Sequence, residues 1–332
     1  MKKNVFYLLA CTTIAYFCLF GADAFAQNIE KHVFTAGFSV EIPKNWRYSE
    51  KNYELTNTYF IAHDWQNEQS LAVVEMIGLQ LSEGETWEAF LGAQLNNLLD
   101  DTLNYNIMSD GARNYPLYLP YNYISFSTQL PDKFSDTYTQ LLLVRRGLQV
   151  FVIKATTATN LLTTYNSSFN KIFNSFKLET QQYANPLGKY SLWVPPSYSI
   201  ISADAASNEL QIIPTTEAHK DTVSALISLV YLPTNDTTTL SDWVANQSLD
   251  IMLQYTNGQM PTEQDTTFFA SQTPIKSLKY STTVDKTPLV VENYYWFLFD
   301  NQYILSATYQ PKQKTATQKM LQNLINTCKW VK

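Results

Sequence analysis

The amino-acid sequence predicts an α+β protein built from two tandem copies of one domain, each a mostly antiparallel β-sheet covered by helices. Strand patterns of period two and helix patterns of period 3.6 follow one another in the order β-β-β-α-β-β-β-α. That order occurs twice, at offsets of 152 to 158 residues. Short turns connect consecutive strands, which favours antiparallel pairing. Together these observations predict a duplicated sandwich of sheet and helices.

The first strand of each copy gives the clearest evidence of repetition. The first copy has FSVEIPKNW at residues 38–46, and the second has YSLWVPPSY at residues 190–198. In the first copy Phe38, Val40 and Ile42 alternate with other residues and a proline follows them, which is typical of a half-buried strand and its end. The repeated segment is therefore interpreted as a core strand and not as a binding motif.

The remaining strands and helices follow in the same order in both copies. Further strands are predicted at residues 59–62, 71–81, 116–127, 137–144 and 149–156, and again at 211–214, 225–232, 274–283, 290–299 and 303–309. Apolar residues at helical spacing predict two helices per copy, with stripes that include Trp87 and Phe90, Tyr165 and Phe169, Trp243 and Val244, and Leu321 and Leu324.

Local signals mark two of the helix starts and the environment of one cysteine. Ser82 and Glu85 form a possible capping box before the helix that contains Trp87, and Thr239 or a neighbour starts the helix that contains Trp243. Cys328 lies on the apolar stripe of the last helix, which predicts a buried structural thiol.

The first residues have the pattern of a secretory signal peptide. A basic start precedes an apolar run at residues 5–20 and small residues with an A-x-A ending at Ala26. We expect cleavage near Ala26 and an exported protein, periplasmic or secreted. Two alternatives remain open, an uncleaved membrane anchor and a lipoprotein attached through Cys11. The short apolar run disfavours the first, and the few apolar residues before Cys11 disfavour the second.

The predicted domain organisation follows from the signal peptide and the repeat. It consists of a signal peptide at residues 1–26, a first sandwich domain at 27–180, a linker at 181–189 and a second sandwich domain at 190–332. The linker is polar and contains a proline and a glycine, which is typical of a connection between domains.

The charge argues against nucleic-acid binding, and the cysteine content argues against a fold stabilised by disulfides. Without residues 1–26 the chain has 21 basic and 28 acidic residues, a net charge of −7. A mildly acidic chain without a cluster of lysine and arginine is not expected to bind nucleic acid. Cys328 is then the single cysteine, so no disulfide can form within the chain and a hydrophobic core must stabilise the fold.

The motifs together resemble the PsbP/Mog-type α/β/α sandwich, which includes bacterial exported domains of unknown function. They are a strand that ends in aliphatic-Pro-x-x-aromatic, an amphipathic helix in the middle of the domain, a hairpin, and a final helix that runs into Phe176-Lys177-Leu178 or Cys328-Lys329-Trp330. Known members are mostly non-enzymatic subunits, chaperones or binders of other proteins. The resemblance therefore implies protein binding, and it implies no catalytic residue.

No catalytic, metal or cofactor site is predicted. His63-Asp64 and His219 with Asp221 are close pairs, but a metal site takes three or four converging ligands. The sequence contains no G-x-S-x-G or P-loop motif. We therefore expect no metal, no cofactor and no catalytic residue.

The candidate interaction surface combines aromatic residues with a basic hairpin turn. Tyr118 and Tyr121 belong to a tyrosine-rich segment, and tyrosine suits binding surfaces because its body is apolar and its tip polar. Arg145 and Arg146 lie at a hairpin turn where the second copy has Asp-Asn, and Trp193 lies where the first copy has a glutamate. Ordinary strand packing and a solvated turn are the alternatives for these residues.

These observations predict an exported, non-catalytic envelope protein that binds a protein partner, as an accessory factor of a membrane or envelope complex. Contact with the membrane itself is expected only peripherally or through that partner. One alternative is a carrier or sensor of a small apolar ligand, because domain interfaces favour such pockets. Another is a hydrolase whose site is assembled only in three dimensions.

Overall fold

The structure is a computed structural model, and it describes residues 29–52, 58–66, 69–81, 85–99, 104–115, 119–129, 136–185, 187–204, 208–218, 223–234, 238–256, 259–267, 273–298 and 301–330. The predicted signal peptide, with Cys11 and Ala26, lies outside the described residues. No helix in the described part of the chain combines the length and the apolar character that a membrane span requires.

The first half of the chain contains ten strands and two helices among its described residues. They are β1 (Ile29–Phe34), β2 (Phe38–Pro43), β3 (Arg47–Asn52), β4 (Thr58–Gln66), β5 (Gln69–Gln80), α1 (Trp87–Leu99), β6 (Asn104–Tyr115), β7 (Leu119–Gln129), β8 (Thr137–Arg146), β9 (Gln149–Ala158), α2 (Leu162–Ser175) and β10 (Lys177–Leu178).

The described residues of the second half again form ten strands and two helices. They are β11 (Gln181–Asn185), β12 (Tyr190–Val194), β13 (Tyr198–Asp204), β14 (Glu209–Pro214), β15 (Ala225–Pro233), α3 (Leu240–Gln254), β16 (Thr262–Thr267), β17 (Pro274–Val284), β18 (Thr287–Leu298), β19 (Asn301–Tyr309), α4 (Lys314–Thr327) and β20 (Lys329–Trp330).

Two seven-stranded sheets dominate the fold. The strand order is β3-β4-β5-β9-β8-β7-β6 in the first and β13-β14-β15-β19-β18-β17-β16 in the second. Two three-stranded sheets, β1-β2-β10 and β11-β12-β20, accompany them. Every pairing between described strands is antiparallel. These pairings confirm the α+β class with mostly antiparallel sheets.

Helices pack on both faces of each seven-stranded sheet. Alternate residues of β8 point to opposite faces, so Leu142 packs in one core cluster with Phe169 of α2, and Leu141 packs in another with Phe90 of α1. The second half repeats this arrangement, since α4 contributes to one core cluster and α3 to another. The predicted apolar stripes are therefore the faces that the helices bury.

The sequence predicts fewer strands than the structure contains. The structure adds β1, β3 and β6 in the first half and β11, β13 and β16 in the second, besides the short β10 and β20. β3 reads RYSEKN and β16 reads TEQDTT, and both lie at an edge of a seven-stranded sheet. An edge strand forms its ladder on one side only and can stay polar, so it lacks the apolar alternation that reveals a strand in the sequence.

Part of the predicted linker at residues 181–189 is a strand. Gln181–Asn185 forms β11 and pairs with β12 along its whole length. Gln181, Tyr183 and Asn185 are buried on one side of this strand. The polar composition of this segment predicted a loop. Composition does not reveal that the backbone N–H and C=O groups of the segment pair with β12.

Two local predictions concern helix starts. Thr239 is the N-cap of α3, and its side-chain oxygen accepts a hydrogen bond from the N–H of Asp242 at 3.2 Å, which confirms the predicted start. Ser82 lies outside the described residues. At the start of α1, Thr86 Oγ1 accepts from the N–H of Ala89 at 3.1 Å.

Candidate binding surfaces

The turn between β8 and β9 joins the two halves of the chain. Gly147 and Leu148 form this turn, and Gly147 has a φ of +59°. The N–H of Leu148 donates to the carbonyl of Ile200 in β13 at 2.9 Å, and its side chain packs against the core of the second half. This hairpin tip, residues 145–148, is called the junction turn below.

Arg146 is fully buried at the junction turn. Its guanidinium donates to the carbonyls of Tyr198 at 2.7 Å, Pro195 at 2.8 Å and Glu179 at 3.1 Å. Burial lowers the pKa of Arg146 to about 10, so the side chain remains charged at neutral pH. The sequence predicted an exposed interaction surface or a solvated turn, whereas the buried side chain satisfies backbone carbonyls of both halves.

The other residues predicted for the interaction surface lie in different settings. Arg145 is half-buried, and its Nε donates to the carbonyl of Gly147 at 2.9 Å. Burial lowers the pKa of Arg145, and Glu88 partly offsets that effect. Trp193 is half-exposed on β12. The five predicted residues therefore do not form one exposed surface, since Arg146 is inside the molecule.

The last two residues predicted for the interaction surface are Tyr118 and Tyr121. Tyr118 lies outside the described residues. Tyr121 lies on β7, where it pairs with Val144 of β8. Their share in a surface stays a prediction.

The described histidines pack against aromatic rings. The ring centroid of His32 lies 4.5 Å from that of Tyr48, and burial lowers the pKa of His32. His63 lies beside Trp65, at 5.4 Å between centroids. Within the part of the chain that the structure describes, no group of three or more His, Cys, Asp and Glu side chains could hold a metal ion. His219 lies outside it, so a site that includes His219 stays a prediction.

Cys328, which directly follows α4, is buried, as the sequence predicts. Burial raises the pKa of the Cys328 thiol to about 12. A thiol in this environment stays protonated at neutral pH, and the thiolate is the reactive form.

A buried carboxylate, Glu292 of β18, lies at the centre of a polar cluster in the second half. Glu292 is 5% exposed and forms an ion pair with Lys279 of β17. Tyr309 donates to its Oε1 at 2.6 Å and Gln318 of α4 donates to the same atom at 3.0 Å, while Tyr294 donates to Oε2 at 3.1 Å. Burial opposes ionisation, but the hydrogen bonds from Lys279, Tyr309 and Gln318 outweigh it and lower the pKa of Glu292.

The first half has a neutral residue at the matching position. Glu292 pairs with Ala307 across β18 and β19, and Gln140 pairs with Ala155 across β8 and β9. Gln140 is buried and donates to Asn166 of α2 at 3.2 Å. Neither residue was among those predicted from the sequence, although a glutamate inside the apolar run of β18 is a usable signal.

Exposed apolar residues lie at the C-terminal end of α3 and in the segment that follows it. Leu249 and Leu253 are one helical turn apart, with exposed fractions of 48% and 75%. Tyr255 and Met260 follow, with exposed fractions of 52% and 61%. The opposite side of α3 is buried against the sheet. The ring of Tyr255 stacks on Tyr280 of β17 at 6.3 Å between centroids. Leu249 and Leu253, which share one face of the helix, are called the α3 patch below.

Comparisons with known proteins give structural likenesses at low similarity. No family model and no curated protein matches this chain. Among solved structures, it is similar to cyanobacterial PsbP from Synechocystis at 12% identity and a TM-score of 0.35, over 46% of this chain and 93% of that one. It is also similar to the Ran-binding protein Mog1p from Saccharomyces cerevisiae at 9% identity and a TM-score of 0.33, over 46% of this chain and 96% of that one.

A further likeness extends over most of the chain. The immunity protein TplEi of the T6SS from Pseudomonas aeruginosa matches at 9% identity and a TM-score of 0.27, over 91% of this chain and 97% of that one. At these identities and TM-scores we assign this chain neither a function nor a partner from the comparisons.

Proposed function

We propose that this protein is an exported, non-catalytic binding protein whose partner is another protein of the cell envelope. The observation that carries the proposal is the α3 patch. Contiguous exposed apolar side chains are typical of interaction sites, whereas single exposed ones are ordinary. The patch lies on a helix whose other face is anchored by Trp243, Val244 and Ile251, so it is presented on a rigid element.

The proposal includes a duplicated PsbP/Mog-type scaffold, with domains at residues 27–180 and 190–332. Its support is the common strand order of the two seven-stranded sheets and the matching register of Gln140 and Glu292. In this proposal the two copies provide one scaffold with different exposed side chains.

Site-specific photocrosslinking in the producing cells tests the role of the α3 patch. A photoreactive amino acid at Leu253 is expected to give one dominant protein adduct. The matched control has the same amino acid at Gln322, an exposed position on α4. Leu249→Ser in the Leu253 probe is expected to remove the adduct at little cost in stability, because Leu249 is largely exposed. Equal adducts at both positions, or none at Leu253, would contradict the proposal.

Export is tested separately by the mass of the protein isolated from the cell envelope or the medium. Cleavage after Ala26 predicts a mature chain that begins at Gln27. A mass that retains the first 26 residues, or a lipid adduct at Cys11, would support one of the alternatives instead.

A further inference from the structure

A cleft of about 470 Å³ lies in the second half, between the first turns of α4, the turn from β12 to β13 and the end of β14. Its apolar walls come from Pro195, Tyr198, Pro214 and Met320. The volume falls within the range of pockets that hold small molecules. It is called the α4 cleft below.

The register of the strands identifies the matching position in the first half. Ile200 pairs with Ile212 as Tyr48 pairs with Ala62, so Tyr198 matches Trp46 and Pro214 matches Asp64. α2 and α4 begin 152 residues apart, so Thr317 matches Tyr165. The two halves therefore correspond side chain by side chain at this place.

The first half closes the matching position with a hydrogen bond and two rings. Tyr165 of α2 donates to Oδ2 of Asp64 at the end of β4 at 2.7 Å, which links the helix to the sheet. The indole of Trp46 packs edge-on against Tyr165 at 6.3 Å and Phe169 at 6.5 Å between centroids. All three aromatic residues are buried.

The second half lacks each part of that closure. Pro214 has no side-chain acceptor, and Thr317 is too short to cross from α4 to the end of β14. The phenol of Tyr198 is smaller than an indole, and its hydroxyl donates to the carbonyl of Ala316 at 3.2 Å, which keeps the ring against the helix. Tyr198 and Pro214, which match Trp46 and Asp64, thus line the α4 cleft, while Thr317, which matches Tyr165, is fully buried.

The residues around the α4 cleft define the chemistry of a ligand. Among the described residues that line it, Lys319 is the one charged side chain and none is acidic. Lys319 is exposed at the rim and has no carboxylate partner within the described part of the chain. Asn323 and Ser197 add neutral polar groups. An apolar wall with one cation at its rim matches a ligand with an apolar body and one acidic group.

We propose that the α4 cleft binds a small amphiphilic carboxylate, whose apolar or aromatic body lies against Pro195, Tyr198 and Met320 and whose carboxylate faces Lys319. This site is independent of the α3 patch, and its failure would leave the proposed protein partner untouched.

Titration of the purified full protein with 4-phenylbutyrate tests the site. Saturable binding is expected, with a shift of the Met320 methyl signal in protein labelled at methionine methyl groups. Met76, buried in the core of the first half, is the internal control and is expected not to move. The uncharged amide of the same compound is expected to bind more weakly.

Two lysine variants distinguish binding in the α4 cleft from a general effect of charge on binding. Lys319→Gln is expected to weaken binding of 4-phenylbutyrate about three- to tenfold, the effect of losing one exposed charge pair. Lys312→Gln, an exposed lysine ahead of the same helix, is expected to leave it unchanged. Pro214→Asp with Thr317→Tyr, which copies the closure of the first half, is expected to abolish binding.

Absence of saturable binding at millimolar 4-phenylbutyrate would overturn the proposal. Equal weakening by Lys319→Gln and Lys312→Gln, or a shift of Met76 alone, would also overturn it. If the double variant does not fold, the comparison of the two lysine variants still decides the result, because both lysines are exposed.

Discussion

Glu292 and Gln140 occupy the same register position in the two halves, and they differ in charge at a buried site. Glu292 has Lys279 as its ion-pair partner. Gln140 pairs instead with Ser125, which is buried and uncharged. A carboxylate is tolerated in the second half because donors surround it, and the first half replaces both the charge and its partner.

We expect Glu292→Gln to lower the free energy of unfolding by about 1–2 kcal/mol at pH 7, since it removes a charge-assisted hydrogen-bond network. The pKa of Glu292 in the folded protein lies below its ordinary value of 4.5. The stabilisation from ionised Glu292 is therefore complete above about pH 5 and is lost as the pH falls through the lowered folded-state pKa. Urea unfolding at pH 7 and at pH 3 should show the difference between the two proteins narrowing in acid.

The reciprocal variant Gln140→Glu provides the control. It buries a carboxylate without a lysine, which raises the folded-state pKa and lowers stability at pH 7 by about 1–3 kcal/mol. Acidification should restore that loss, because the protonated form carries no charge. If both variants respond alike to pH, the role given to Lys279 is wrong.

At the scale of single elements, the hairpin of β8 and β9 depends on one glycine. Gly147 has a φ of +59°, and a Cβ there would lie 2.1 Å from the carbonyl oxygen of Ile200. The junction turn therefore requires glycine both for its backbone conformation and for its close approach to β13. Gly92 on α1 differs, since a Cβ there would meet nothing within 4 Å.

These two glycines make a matched pair of alanine variants. We expect Gly147→Ala to lower the free energy of unfolding by about 2 kcal/mol or more, because the left-handed conformation and the contact with Ile200 both become unfavourable. We expect Gly92→Ala to raise it by up to about 1 kcal/mol through helix propensity. Urea midpoints measure both. A wild-type midpoint for Gly147→Ala would show that the junction turn does not approach β13 this closely.

At the scale of the whole molecule, the junction turn gives the two halves a shared set of contacts. Arg146 satisfies carbonyls on both sides of the boundary, and Leu148 contacts the second half with its N–H and with its side chain. Removal of the Arg146 guanidinium would leave these buried carbonyls without hydrogen-bond partners, at a cost of about 1–3 kcal/mol each. Unfolding of one half is thereby coupled to the other.

Calorimetry tests this coupling. We expect the wild-type protein to unfold in one transition and Arg146→Met to unfold in two, because the variant removes the hydrogen bonds that the Arg146 guanidinium makes across the boundary. Arg145→Met is the control and should keep one transition, since the hydrogen bond from Arg145 Nε to the carbonyl of Gly147 stays within the junction turn. Two transitions in the wild type, or one in Arg146→Met, would contradict the expected coupling.

Much of the secondary structure follows from local pattern. The α+β class, the buried helix faces, the N-cap at Thr239 and the buried Cys328 could be predicted because each depends on residues a few positions apart. The sequence also pointed to the junction turn, where it predicted an exposed interaction surface with a solvated turn as the alternative.

Tertiary contacts decided the rest. β3, β11 and β16 are strands because of backbone pairing that their polar side chains do not reveal. Arg146 is buried because carbonyls as many as 52 residues away meet its guanidinium. At the α4 cleft, Pro214 and Thr317, distant in the chain, lack the hydrogen bond that Asp64 and Tyr165 make in the first half. Local periodicity reports which face of an element is apolar, but only the fold determines which polar groups from distant segments meet.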